Sequence, residues 1–127
     1  MKNIIILSPV YNDWESFTKL IIEIDKVVSN FKNMSFKLIA INDGSKEKTP
    51  PLKLPPNLEF IEILNMKINQ GHAICLANGM KYALKNYQFD GLILMDADGE
   101  DRPEEIFDLI NKARELNNVS VVAKRDK

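Results

Sequence analysis

Three apolar runs, Ile4 to Leu7, Phe36 to Ile41 and Leu92 to Met95, constrain this chain more than any other feature of it. Each is too short for a helix with one buried face, and each is apolar on almost every residue. A strand built from such a run points apolar side chains to both faces of its sheet, so both faces have to be covered. Each run also stops at a polar cluster. Pro9-Val10-Tyr11-Asn12 leaves the first as a turn, Asn42-Asp43-Gly44-Ser45 the second, and Asp96-Ala97-Asp98-Gly99 the third.

The cover comes from the segments between the runs. Phe17, Leu20, Ile21, Ile24, Val27, Val28 and Phe31 follow the three-and-four spacing of a helix with one apolar face. Asn12, with Glu15 three residues on, predicts a capping box at its start. A second helix, entered through Asn69-Gln70-Gly71, carries Ala73, Ile74, Leu76, Ala77, Met80, Ala83, Leu84 and Tyr87 at helical spacing. A third, capped by Asp101 and Glu104 with Pro103 in its first turn, turns Ile106, Phe107, Ile110, Ala113 and Leu116 to the core.

Leu58 to Leu64 alternates partially, as an edge strand does, and Val119 to Ala123 makes a last short strand. Lys46 to Asn57 holds Pro50, Pro51, Pro55 and Pro56 and is loop. Strands alternating with helices predict an α/β fold, a Rossmann-like, mostly parallel sheet with helices on both faces. In such sheets ligands bind beyond the carboxyl ends of the strands, at a topological switch point, and the three polar clusters fall there.

Composition narrows the chemistry. At 127 residues the chain is one domain, with room for one core. A formal net charge of -1 gives no reason to expect nucleic acid as a partner. With one cysteine, Cys75, and one histidine, His72, neither a disulfide framework nor a Cys/His metal cluster can form within it. A metal would have to be held by oxygen, which points to magnesium, manganese or calcium. The apolar run at the N-terminus is far below the length of a signal-peptide core or a spanning helix, so the expectation is a cytoplasmic protein, peripheral to a membrane if it meets one.

Asp96 and Asp98 lie on the same side if the chain stays extended through Ala97, and two close carboxylates need a cation, a shared proton or bulk water. Glu100 and Asp101 extend the acidic run. With no nucleophile beside a base, the pair suggests metal-held phosphate rather than acyl chemistry. By themselves the other positions have plainer explanations. Tyr11 serves as a packing aromatic and Asn42 to Ser45 as an ordinary tight turn. Gly71 and Gly79 serve backbone geometry or close helix packing, and Asn69 caps the helix or holds the neighbouring loop. His72, where the second helix begins, either approaches a phosphate or is incidental, the commoner case for a lone histidine, and Cys75 is a small core residue.

Taken in order, Pro9-x-Tyr11-Asn12, Asn42-Asp43-Gly44-Ser45, Asn69-x-Gly71-x-Ala73 with Gly79 beyond, and Met95-Asp96-Ala97-Asp98 with Pro103-Glu104 resemble the motif series of family 2 glycosyltransferases. The branch of dolichol-phosphate mannose synthases and polyprenyl-phosphate glucosyltransferases is the most similar in look. The resemblance implies a nucleotide-sugar-binding fold of the glycosyltransferase A type. It also implies a donor site drawn from Pro9, Tyr11, Asn12, Asn42, Asp43, Asn69, Gly71 and Asp96. Pro9 and Tyr11 would line the base pocket with Asn12 close by, and Asn42 or Asp43 would bond the base or ribose. Asp96 would meet the ribose or diphosphate, and Asp98 would ligate manganese or magnesium; the pair are the catalytic and metal-ligating candidates.

Members of that family are longer, and their further part supplies the acceptor pocket. The 127 residues therefore read as the donor-binding half, cut before the acceptor half. The expected partners are a nucleotide sugar, a polyprenyl phosphate acceptor and, through the apolar surface left bare, a second copy of the chain. Two other functions fit parts of the pattern. A nucleotide-sugar-binding module without catalysis needs only the donor half. A haloacid-dehalogenase-like phosphatase also carries a strand followed by D-x-D-G, though normally on its first strand. A calcium loop fails on spacing, since Asp101 stands where its glycine belongs and Phe107 where its last acid belongs.

Overall fold

The structure, a computed structural model, describes residues 2–96, 103–116 and 120–123. Its elements are β1 (Lys2–Val10), α1 (Trp14–Val28), β2 (Met34–Asn42), β3 (Ile61–Asn65), α2 (His72–Asn86), β4 (Gly91–Leu94), α3 (Pro103–Glu115) and β5 (Ser120–Ala123). The five strands form one sheet in the order β3-β2-β1-β4-β5, with every neighbouring pair parallel. The chain thus leaves β1 in one direction to β2 and β3 and returns to its other side for β4. The switch point lies between β1 and β4, where the carboxyl ends diverge.

Continuous burial along β1 and β2 follows from cover on both faces. Ile4, Ile6 and Val10 join Phe36, Leu38 and Ala40 against α1 and α3, while Ile5, Leu7, Ile39 and Ile41 meet Cys75 and Ala83 of α2. Burying one such isoleucine or leucine stabilises the fold by roughly 1.5–3 kcal/mol, so strand runs apolar on both faces hold the sheet. Every expected core residue of α1 is buried, as is Phe31 just beyond its end.

Some expectations move. The strand runs on through Pro9 and Val10, which were expected in the turn, with Pro9 opposite Ile41. Residues two apart on a strand direct their amides to the same neighbour, and Leu7 faces β4, where its carbonyl accepts from Met95 N–H. The N–H that proline lacks is therefore on the β4 side, beyond the last paired residues Leu7 and Leu94, and no ladder bond is lost. Asp13, not Asn12, caps α1, its carboxylate accepting from Ser16 N–H at 3.1 Å. Edge strand β3 begins at Ile61, not Leu58, although Glu59 N–H already donates to Phe36 O.

Helix α2 is not turned as its large apolar residues suggest. Ile74 and Leu84 are exposed, and the buried stripe is Cys75, Gly79 and Ala83. A Cβ at Gly79 would lie 2.9 Å from Ile41 Cδ1, so a side chain there would displace Ile41, while Leu76 and Met80 pack at the flanks of the stripe. In α3, Leu109 takes a core place, while Phe107 and Leu116 are exposed. Asp101, expected to cap α3, and Val119, expected to open the last strand, lie outside the described residues.

Candidate functional site

On the β2 side of the switch point, three loops are bonded into one wall. The strand register aligns Val10, Asn42 and Asn65, so β1, β2 and β3 end level with one another. Asn42 uses its whole side chain there: Nδ2 donates to Asn65 Oδ1 at 3.0 Å, and Oδ1 accepts from Ser45 N–H at 3.1 Å. Asp43 N–H donates to Val10 O, and its side chain, only 1% exposed, turns to the loop entering α2. Its carboxylate accepts from Gln70 N–H at 2.7 Å, Gly71 N–H at 3.0 Å and Asn69 Nδ2 at 3.1 Å.

Gly44 makes this closeness possible. Its φ is +68°, and a Cβ would stand 2.5 Å from the backbone nitrogen of Asn69. Two backbones touch here, which is why the polar turn needs glycine at that one place. Gly71, also at positive φ (92°), has open space where a Cβ would be; its need is conformational only. Beneath the wall lies Cys75. Burial, reinforced by the carboxylate of Asp43, pushes its thiol from 9.0 up to about 12, so the sulfur stays protonated and inert at neutral pH.

On the β4 side much less is tied down. Asp96 follows the strand end with its carboxylate 49% exposed, and His72, the first residue of α2, places Nδ1 3.7 Å from Asp96 Oδ1. Among the described residues no group of three His, Cys, Asp or Glu side chains gathers as a ready metal cage. Asp98 lies outside the described residues. Tyr11, at the end of β1, is 40% exposed.

The structure therefore brings Pro9, Tyr11, Asn12, Asn42, Asp43, Asn69 and Gly71 to one end of the sheet, with Asp96 across the switch point. Sequence reasoning missed Asn65, Ser45 and the backbone contact of Gly44. An asparagine ending the third strand was a visible signal for the first. Of the two readings of His72, the structure seats the side chain beside Asp96.

The sequence profile described as "Glycosyl transferase family 2" matches residues 5–127. The chain belongs to that family. An uncharacterized glycosyltransferase of Synechocystis is 32% identical over 124 residues, covering 96% of this chain and 37% of the relative. The undecaprenyl-phosphate 4-deoxy-4-formamido-L-arabinose transferase of Salmonella choleraesuis is 28% identical over 119 residues, 91% of this chain and 35% of the relative. A dolichyl-phosphate beta-glucosyltransferase of Trichomonas vaginalis is 24% identical over 120 residues, 88% of this chain and 34% of the relative. The chain spans about a third of the length of these curated relatives. The all-parallel sheet with helices on both faces is consistent with the family's Rossmann-like glycosyltransferase A fold.

Proposed function

We propose that residues 1–127 act as one nucleotide-sugar-binding domain of a glycosyltransferase that moves a sugar from a nucleoside diphosphate to a lipid phosphate. The observation that carries this reading is the division of the switch-point crevice in a chain of this family: a braced wall on one side, a half-exposed carboxylate on the other. A planar base would stack on the half-exposed ring of Tyr11, while Pro9 is buried in β1 beneath it and Asn42, Asp43, Asn69 and Gly71 shape the neighbouring wall.

Asp96 and Asp98 would hold manganese or magnesium. The fit is chemical: such ions are commonly bound by one or two carboxylates together with substrate phosphates, and Asp96 offers an exposed carboxylate and no closed cage. When bound, the ion supplies charge neutralisation to the departing diphosphate. This chain's residues orient the donor and keep the nucleoside end fixed while the sugar leaves. A lipid phosphate acceptor is already ionised at neutral pH and needs no strong base from this domain. Two relatives are named for transfer involving undecaprenyl phosphate and dolichyl phosphate, which favours that acceptor class. No helix among the described residues is long and apolar enough to cross a membrane, so this domain would meet a lipid acceptor at the membrane face.

Titration with uridine and guanosine diphosphates, with and without manganese, tests the reading. Binding is expected to tighten at least about tenfold with the metal, and Asp98→Ala to remove that gain while circular dichroism stays unchanged. Metal-independent binding that survives Asp98→Ala would overturn it. Binding without hydrolysis or transfer of a nucleotide sugar would leave a binding module in place of an enzyme.

A further inference from the structure

Asn12 was expected among the donor contacts, yet its polar atoms point another way. Its φ of 60° is left-handed, a conformation that asparagine tolerates better than most residues. In that conformation its Oδ1 accepts from two successive backbone donors, Lys46 N–H at 2.8 Å and Glu47 N–H at 3.2 Å. Only an oxygen can meet two N–H groups, so the amide orientation is dictated and both lone pairs are occupied. Its own N–H donates to Ser45 Oγ at 2.9 Å.

From these contacts we infer that Asn12 is a positioning residue for the nucleoside end of the site: a clip that closes the 45–47 turn onto the end of β1 and thereby fixes Tyr11. The inference rests on the donor-site reading above. Tyr11 is held from both directions. Val10 before it is in the sheet, its carbonyl accepting from Asp43 N–H, and Asn12 after it is locked to the 45–47 turn. With the backbone held at both flanks, only the side-chain torsions of Tyr11 remain to be ordered on binding, and a smaller ordering cost is how preorganisation raises affinity. The same turn is bound back through Ser45 to Asn42, so the clip joins the first and second loops of the wall.

Two variants separate this role from direct ligand contact. Asn12→Gly keeps the left-handed backbone and deletes the clip, while Asn12→Asp keeps the acceptor oxygen and deletes Nδ2. Amide hydrogen exchange reads the clip without any ligand: Lys46 and Glu47 lose protection in Asn12→Gly and keep it in Asn12→Asp. Manganese with uridine or guanosine diphosphate reads the site, and manganese with inorganic pyrophosphate corrects for the charge that aspartate adds. The ratio of nucleotide to pyrophosphate affinity is expected to fall about tenfold in Asn12→Gly, the worth of two lost hydrogen bonds, and to recover mostly in Asn12→Asp. Equal loss of the ratio in both variants, or unchanged exchange at Lys46 and Glu47 in Asn12→Gly, would overturn the clip. Failure of the parent protein to bind either nucleotide would instead sink the donor-site reading and leave the exchange result to judge the clip alone.

Discussion

The two sides of the crevice are built on opposite terms. On the β2 side, Asp43 is buried under three hydrogen bonds from the loop entering α2, Gly44 touches the backbone of Ile68 and Asn69, and Asn42 is bonded at both ends. On the β4 side, Asp96 keeps a half-exposed carboxylate with His72 as its neighbour. A wall whose polar groups are satisfied by the protein can present a fixed shape to a base. An open carboxylate retains the capacity to take up charge brought by a ligand. The same strand-end chemistry thus yields a bonded scaffold on one side and an unspent carboxylate on the other, according to how much of each side chain the fold has already used.

Substitutions should divide along that line. Gly44→Ala is expected to cost the most stability, about 4 kcal/mol, because strain at positive φ adds to a backbone overlap that no side-chain rotation relieves; urea unfolding measures it, and a cost below about 1 kcal/mol would mean the two loops can part. Asp43→Ala comes next at about 2 kcal/mol, since it takes from the part-buried Gln70 and Gly71 N–H groups the buried carboxylate that accepts from both. Gly71→Ala follows at about 2 kcal/mol, from backbone strain alone, because the space beside it is open.

Asp96→Asn should shift stability by no more than about 0.5 kcal/mol, as surface changes do, while metal-dependent nucleotide binding falls. A large stability loss there would erase the contrast between the two sides.

The contrast also has an alkaline side. Cys75 in the folded protein holds its proton to about 12, whereas the unfolded thiol releases it near 9.0, so the folded state binds more protons across that window. Tyr87 and Tyr82, raised chiefly by their hydrogen bonds to Glu62, act in the same direction from 10.0 upward. Stability contributed by these groups is complete below about pH 9 and declines as pH rises. Thermal midpoints across that range should fall, less steeply at the start in Cys75→Ala and less steeply at the end in Glu62→Gln.

The fold was largely legible. The strand runs and the α1 stripe were read correctly because there large apolar residues meet the core directly. Helix α2 was read only in part, since periodicity registers hydrophobicity and not size: a cysteine, a glycine and an alanine sit closest to the sheet, Leu76 and Met80 pack at their flanks, and Leu84 faces water. The site was legible as a set of positions and less so as a set of tasks. Asn12 looked like a cap for the helix that follows it, but its partners are Ser45, Lys46 and Glu47, more than thirty residues on. Local spacing cannot reveal a hydrogen bond of that range.

What the sequence alone determined is the architecture and the row of polar strand ends, because continuous apolar runs, helical stripes and turn residues are local properties of the chain. What only the tertiary structure decided is which of those polar groups are spent. Asp43 and Asp96 are the same residue type at the ends of two strands, yet one is 1% exposed beneath the α2 loop and the other stands half in solvent. A carboxylate's function follows from its hydrogen bonds and exposure, and those are set by elements brought together from distant parts of the chain.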